Sequence, residues 1–560
     1  MGGLQALGRT YRHLNRYREV VAVLAKHGFG DLLHMLRLDV YIEAGLKGVL
    51  RHPPVDTAER PERVRLALQD LGPTFVKAGQ YLSMRADVLS AEYLRELAKL
   101  QDRVPAFPAE EARRIVEEDL GRPVEALFKR FDVRPLAAAS IAQIHSAALL
   151  DGSEVVVKVE RPRIRAVVSA DLEIMAHIAG LAEHYFPEWA WRRPTRVVAE
   201  IARSLDHEMD FSLEASHAER FARQFADNPT VRVPKVYRAL SSARVLTLER
   251  LDGVKADDLA GMAREGLDPR IVAERLASHY LAMIFTHGFF HADPHPGNLL
   301  VEADHVVAYL DFGMIGRLDL ALRESLADIV LAVAQVDQAL LGKALLALCE
   351  HEEEPDARAF EEDVAELLDQ YAYRPLGEWC LGRMLEQFFQ TTARYRVLVP
   401  PDLFLMVKAL TELESLTRLL DPRFDAVSAA APFIRRVQEE RLGPLRMAER
   451  FAAVGRETLD LLTSAPSELR LLIRQARRGR LLIEFEHKGL EPALSELDQI
   501  SNRLAYAILL GSLVIGSALV VRSGIPPYWR GVSLPGIGGF LLAAVMGFWL
   551  LIAILRHGRL

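Results

Sequence analysis

From Val64 to Leu100 the chain reads "VRLALQDLGPTFVKAGQYLSMRADVLSAEYLRELAKL", with apolar residues returning every third or fourth position. That spacing predicts amphipathic helices, and residues 1–123 share it. Pro53–Pro54 and Gly72–Pro73 punctuate the stretch, and "VPAFP" at 104–108 closes it. The period then changes. Over 133–160, "IHSAALL" and "EVVVKVE" flank Asp151–Gly152, which predicts two strands joined by a tight turn. Helical spacing resumes over 165–225. "VRVPKVYRAL" and "ARVLTLERLDG" predict two further strands, and the remainder reads as helix. No low-complexity linker interrupts 130–440, so this stretch is expected to fold as one two-lobed unit.

The C-terminal pattern differs. Leu504–Val521 is 18 residues without a charge and Gly531–Leu555 is 25, against the roughly 20 apolar residues that cross a bilayer. Around "RSGIPPYWR" these two runs predict a membrane hairpin. Ser512 and Gly516 form a small-xxx-small pair, which suits packing within the hairpin or a homodimer contact. Arg503, Arg522, Arg530, Arg556 and Arg559 flank both ends, so charge bias gives no orientation. The polar, basic start "MGGLQALGRTYRHLNRYREVV" is not read as a signal peptide. The large N-terminal portion is therefore expected on the cytoplasmic side of the cytoplasmic membrane.

Composition narrows the classes. A formal net charge of −7 argues against a nucleic-acid binder. The two cysteines, Cys349 and Cys380, allow neither a disulfide framework nor a four-cysteine zinc site. Upstream of the hairpin Arg470, Arg474, Arg477, Arg478 and Arg480 cluster, reading either as a solvated helix face or as a contact for anionic membrane lipids.

The candidate chemistry is phosphoryl transfer. It needs a lysine on the phosphates, a glutamate orienting that lysine, and oxygen ligands for Mg²⁺. "VVVK" supplies Lys158 at a strand end, and "HADPHPGNLLV" supplies Asp293 and Asn298 in an Asp-x-x-x-x-Asn spacing. Thirteen residues beyond Asn298 stands Asp311-Phe312-Gly313, a gap that suits a hairpin. The rival reading of His291, Asp293 and His295 as a transition-metal site leaves Asn298 and Asp311 unexplained. No Walker P-loop spacing occurs. For the glutamate, "DHEMDFSLEASHAERF" offers Glu208, Asp210, Glu214 and Glu219, and spacing does not choose among them.

With these residues assembled, residues 65–320 resemble the UbiB/AarF (ADCK) family of atypical, protein-kinase-like proteins, and the C-terminal hairpin is similar to its bacterial members. "FVKAGQYLSMRADVL" looks like the family's Lys-x-Gly-Gln signature, followed by "LQDRVP". "AAASIAQIH" is similar to its alanine-rich loop, "EMDFSLEASHAERF" to its Glu-x-Asp segment, and "HADPHPGN" and "DFG" to its active-site strings. Ser216–His217 stands where the family often carries asparagine.

The resemblance implies an α+β, two-lobed protein-kinase-like fold. An N-terminal helical extension would cover 1–123, an N-lobe 124–256 and a C-lobe 257–440. A helical, basic membrane-proximal segment would follow at 441–499, then two transmembrane helices at 500–560. It implies that Lys158 pairs with Glu214, that Asp293 takes the catalytic-loop position, and that Asn298 and Asp311 hold Mg²⁺. Lys77 and Gln80, flanking Gly79, would reach the active site near Glu208 and Asp210. Ala137, Ala138, Ala139, Ser140 and Ile141 would lie over ATP or ADP, with Glu249 and Leu251 in the hinge against adenine. The alanines should make that loop stiffer than a glycine loop. The implied role is an ATP-dependent kinase or ATPase in ubiquinone or other isoprenoid-quinone biosynthesis, or in lipid handling. Quinone precursors, membrane lipids and quinone-biosynthesis enzymes are the expected partners. The alternatives are a silent, nucleotide-switched scaffold for lipids and proteins, and a conventional protein kinase.

Overall fold

The computed structural model describes residues 15–36, 59–100, 104–186, 191–349, 356–372, 381–395, 397–442, 490–529 and 532–556. The basic cluster at 470–480, Cys380 and residues 101–103 lie outside them. The chain divides into two units, Met1–Arg450 and Phe451–Leu560.

The first unit is organised by an antiparallel sheet. Its strands are β1 (Phe128–Phe131), β2 (Ala137–Ala138), β3 (Ala142–Leu149), β4 (Glu154–Glu160) and, after the short β5 (Val231–Arg232), β6 (Val245–Glu249). They run in the order β1-β3-β4-β6, with β2 also on β3. The predicted tight turn is present, with Gly152 at φ 91° and Asp151 accepting a hydrogen bond from the Ser153 amide at 2.9 Å. In β4 the two-residue period does the sorting. Val155, Val157 and Val159 are fully buried against Ile115 and Val116 of a helix over Ala109–Leu120. Lys158 must then face the opposite side of the sheet.

Three helices cover that opposite side and the cleft beyond it. α1 (Pro73–Leu82) follows Gly72–Pro73 and carries the Lys-x-Gly-Gln residues. α2 (Pro194–Met209) ends beside α3 (Phe211–Gln224), whose first turn is capped by Asp210 accepting from Ser212 N at 3.0 Å. Ala78 of α1 packs in one apolar cluster with Ile141, Val197, Ile201 and Leu205, so the extension rests on α2 and on the alanine-rich loop.

Part of the strand expectation fails at 231–240. Val231–Arg232 is a two-residue strand and Arg238–Leu240 a 3₁₀ turn, with Val236 making an isolated bridge to Leu248. Pro234, between them, has no N–H for a ladder.

β7 (Val254–Lys255) leaves the first sheet through residues 250–253 and joins a second, ordered β5-β10-β9-β7. Its other members are β9 (Leu299–Val301) and β10 (Val307–Tyr309), and β8 (Phe289–His291) pairs separately with β11 (Ile315–Arg317). A helix over Pro269–Leu281 runs into a π-helical turn, Ala282–His287. That turn stops at Gly288, φ 59°, where an added Cβ would overlap the Leu318 carbonyl. α4 (Pro401–Leu420) then crosses beneath the site with eleven buried residues.

In the second unit, α5 (Leu490–Ser523) and α6 (Leu534–Arg556) lie antiparallel. Gly536 meets Val521 and Ser517, Gly539 meets Ser517, and Gly547 faces Leu510. Gly516, by contrast, has nothing near its Cβ position, so the small pair Ser512/Gly516 is not the surface on which these helices pack. Among the described residues one helix, Leu504–Ser523, is long and apolar enough to cross a membrane; the apolar stretch Leu534–Phe548 is shorter. Large apolar side chains such as Leu504, Ile508, Ile515, Leu541 and Phe548 are exposed. The second helix begins at Leu534 because Tyr528–Trp529 pairs with Val532–Ser533.

Candidate nucleotide site

Lys158 Nζ donates to both Glu214 oxygens, at 2.9 and 2.8 Å, and stands 3.5 Å from Asp311 Oδ2. The choice among four acidic residues is thereby made by geometry. Glu214 sits in the first turn of α3 and is 4% exposed, so its carboxylate is all but removed from water. The other candidates go elsewhere: Glu208 to Lys77 at 2.6 Å, Asp210 to the helix cap, and Glu219 to Arg238 at 2.8 Å.

Two carboxylates share one ammonium, and they do so unequally. Burial works to lower the Lys158 pKa, but Asp311 and Glu214 outweigh it and hold it above its ordinary value. Enclosure works to raise Asp311, yet Lys158 and the Gly313 amide, 2.8 Å from Oδ1, keep it below the usual carboxylate range. Glu214 takes the remainder. Burial pushes it up to about 7 against the pull of Lys158, and Asp311 adds to the rise.

The β9–β10 hairpin explains why Asn298 and Asp311 stand together. Leu299 pairs with Tyr309, and Leu310 N donates to the Asn298 carbonyl at 3.0 Å. Asn298 Nδ2 donates to Asp293 Oδ2 at 2.8 Å, while Asp293 Oδ1 accepts from Lys408 Nζ at 2.6 Å. Burial raises the Asp293 pKa, but the Lys408 charge and its hydrogen bond outweigh it and hold the group below the usual carboxylate range.

His291 is a fastener rather than a ligand. Its Nδ1 accepts from the Asp293 amide at 3.3 Å and its Nε2–H donates to the Asp311 carbonyl, so one neutral ring joins the Asp-x-x-x-x-Asn and Asp-Phe-Gly segments. Burial keeps it neutral by lowering its pKa. His295 Nδ1 accepts from the Gly297 amide at 3.0 Å. His291 is thus engaged at both ring nitrogens, and among the described residues no group of three or more His, Cys, Asp or Glu could hold a metal. This geometry gives the transition-metal reading no support. The oxygen donors Asn298 and Asp311 fit Mg²⁺, which keeps waters and phosphate oxygens as its other ligands.

From the extension, Lys77 pairs with Glu208, and Gln80 is held by its own helix pair. Gln80 Nε2 donates to the Leu100 carbonyl at 3.2 Å, satisfying an acceptor just past the end of the 91–97 helix. Gly79 is closely packed, since an added Cβ would overlap Leu100 Cδ1 and lie 2.8 Å from Leu68 Cδ1, both ends of side chains.

In the alanine-rich loop, Ala137 and Ala138 pair with Ile144 and Gln143, and Ala139 N donates to the Ala142 carbonyl at 2.9 Å. No residue from 137 to 142 has positive φ, so alanine fits where a phosphate-cradling loop would call for glycine. Arg161 Nε donates to the Ala139 carbonyl at 2.7 Å and its NH2 to Pro105 O at 2.9 Å. Gln143 exchanges hydrogen bonds with Phe107, 2.9 and 3.2 Å, and bonds His145 at 2.9 Å. Ser140 Oγ is buried without a partner. At the hinge, Glu249 is engaged by Arg232 at 2.5 Å and by Lys235 N at 3.0 Å, and Leu251 is half-buried.

Sequence reasoning missed Lys408, Glu412 and His217. Lys408 left a signal as the one charge within "LFLMVKAL". His217 Nδ1 lies 3.1 Å from the Phe312 carbonyl, beside the Asp-Phe-Gly turn.

A lysine on a small antiparallel sheet paired with a helix glutamate, a hinge, and an Asp-x-x-x-x-Asn loop beside an Asp-Phe-Gly turn define a protein-kinase-like fold. The comparisons agree. Residues 99–345 match the ABC1 atypical kinase-like domain, 364–425 the UbiB helical domain, and 488–556 the ABC1/UbiB kinase-like C-terminal domain. The chain is 33% identical over 485 residues to a probable protein kinase UbiB of Shewanella loihica, covering 86% of this chain and 88% of that one. A probable protein kinase UbiB of Marinobacter nauticus is 37% identical over 395 residues, 70% of this chain and 72% of that one. An uncharacterized protein in the hydrogenase 1 5′ region of Clostridium pasteurianum is 31% identical, covering 97% of this chain and 99% of that one. The chain belongs to the UbiB/ADCK family of atypical kinase-like proteins.

Proposed function

We propose that the protein is a membrane-anchored, Mg²⁺-dependent atypical kinase or ATPase that supports ubiquinone or other isoprenoid-quinone biosynthesis. The observation that carries this reading is the convergence of Lys158, Glu214 and Asp311 within 3.5 Å, joined through His291 to Asp293 and Asn298. Lys158 would meet the α/β-phosphates, and Asn298 and Asp311 would hold Mg²⁺, which neutralises charge on the phosphate oxygens. Asp293 would orient the acceptor, water or a substrate hydroxyl. The acceptor O–P bond forms as the bridging O–Pγ bond breaks; ADP leaves and the acceptor proton departs with the transferred phosphate.

The apolar, exposed surfaces of α5 and α6 suit a lipid setting, where such side chains carry no cost. The small residues at their contact suit a membrane hairpin. A quinone precursor would then reach the protein from the bilayer. ATP hydrolysis by the full chain in lipid nanodiscs, compared with Asp311→Asn, tests the reading. Lipid-stimulated turnover lost in the variant supports it. Nucleotide binding without turnover under any lipid condition favours a nucleotide-switched scaffold, and no adenine-nucleotide binding removes the reading altogether.

A further inference from the structure

Asp293 is gripped from two directions. Asn298, five residues on, holds Oδ2; Lys408, 115 residues on, holds Oδ1. Lys408 lies on α4, inside the segment matched as the UbiB helical domain and outside the kinase-like match. Its neighbours Met406, Val407, Ala409 and Leu410 are buried, so the helix position of its stem is fixed by the core. One turn further, Glu412 Oε1 stands 3.7 Å from Nζ, and Glu412 Oε2 is buried with no hydrogen-bond partner. Lys408 therefore sits between two carboxylates, one of which belongs to the catalytic loop.

We propose that Lys408 is a positioning residue for phosphoryl transfer, holding the Asp293 carboxylate aimed at the acceptor while Glu412 restrains the lysine. The inference rests on the nucleotide reading above. A polyphosphate brings several negative charges toward a cleft that already holds Asp293, Asp311 and Glu214. Without a cation on Oδ1, the Asp293 carboxylate would be pushed aside by the phosphates or turn toward solvent, and either change disorients the acceptor. The Lys408 ammonium prevents both by occupying Oδ1. Asn298 leaves Oδ2 a second lone pair for the acceptor O–H. A family-specific helix thus completes the catalytic loop from outside the kinase-like segment.

The test compares the full chain in lipid with Lys408→Met and Lys408→Arg. Lys408→Met should lower kcat for ATP hydrolysis about tenfold or more with KM for ATP within about threefold. Lys408→Arg should recover part of kcat. Independently of activity, melting temperatures of Lys408→Met, Asp293→Asn and the double variant should be non-additive, the second change restoring part of what the first costs. Unchanged kcat in Lys408→Met overturns the proposal. So does a loss of kcat with no recovery by arginine, or additive melting losses. A wild type that hydrolyses ATP beside an unaffected Lys408→Met sinks the lysine alone, whereas a wild type that neither binds nor hydrolyses ATP sinks the nucleotide reading with it.

Discussion

Lys77 Nζ lies 2.6 Å from Glu208 Oε1, tying the helix Pro73–Leu82 of the N-terminal extension to the last turn of Pro194–Met209, two residues before the cap of the helix that bears Glu214. Both side chains are mostly buried, at 15% and 25% exposure, so the pair is worth more than a surface ion pair. Lys77→Met should destabilise the extension by about 1–3 kcal/mol, much of it the cost of leaving Glu208 unpaired. Hydrogen exchange over 73–82 should rise in Lys77→Met and fall back in Lys77→Met/Glu208→Gln. Exchange unchanged in the single variant would show that the pair does not hold the extension.

Glu214 gives a pH signature. Its folded pKa is raised to about 7, above the unfolded value, so the folded state binds an extra proton between the two. Its contribution therefore favours folding at pH 5 and penalises it at pH 8, by up to about 3 kcal/mol. The stability difference between wild type and Glu214→Gln should shift in the wild type's favour as pH falls from 8 to 5. Asp311→Asn should weaken that shift, because the neighbouring negative charge is part of its cause. A pH-independent difference would mean that Glu214 is ionised throughout.

Gly79→Ala asks the cluster of Val76, Leu97 and Leu100 to admit a methyl where Leu100 and Leu68 already meet the backbone. The contacting atoms are side-chain ends, so the cluster can give, at about 1–3 kcal/mol. A lowered melting temperature with Lys77 still protected is expected; no change would show a void beside the helix.

Ala139→Gly loosens a turn that the structure closes without left-handed residues. The Ala139 amide and carbonyl are both engaged, by Ala142 and Arg161. The glycine variant should change ATP and ADP affinities unequally, since the loop would gain access to amide-first conformations that cradle phosphate. Identical affinities for both nucleotides would remove the alanines from nucleotide choice.

Much of the site was legible because its residues sit at fixed spacings within short segments. Lys158 follows from alternation in "EVVVKV", and Asp293, Asn298 and Asp311 from one loop and one hairpin. Glu214 could not be chosen from spacing, because four acidic side chains share two helices and only their rotation about the helix axes separates them. Lys408 reaches Asp293 across more than a hundred residues, a pairing that local pattern does not encode. The strand expected over 231–240 shrank to two residues because Pro234 outweighed its β-branched neighbours. The helix pair was anticipated from apolar length, whereas its contact register, Ser517 against Gly536 and Gly539, depends on which face turns inward.

The clasp at Phe107 bears on how the cleft could open. Gln143 grips that residue twice from the strand beside the alanines, and Arg161 spans from Ala139 to Pro105. A loop so riveted to the segment leading out of the extension cannot lift without moving that segment, so any opening over the cleft proposed to take a nucleotide would be a concerted movement of two parts of the chain.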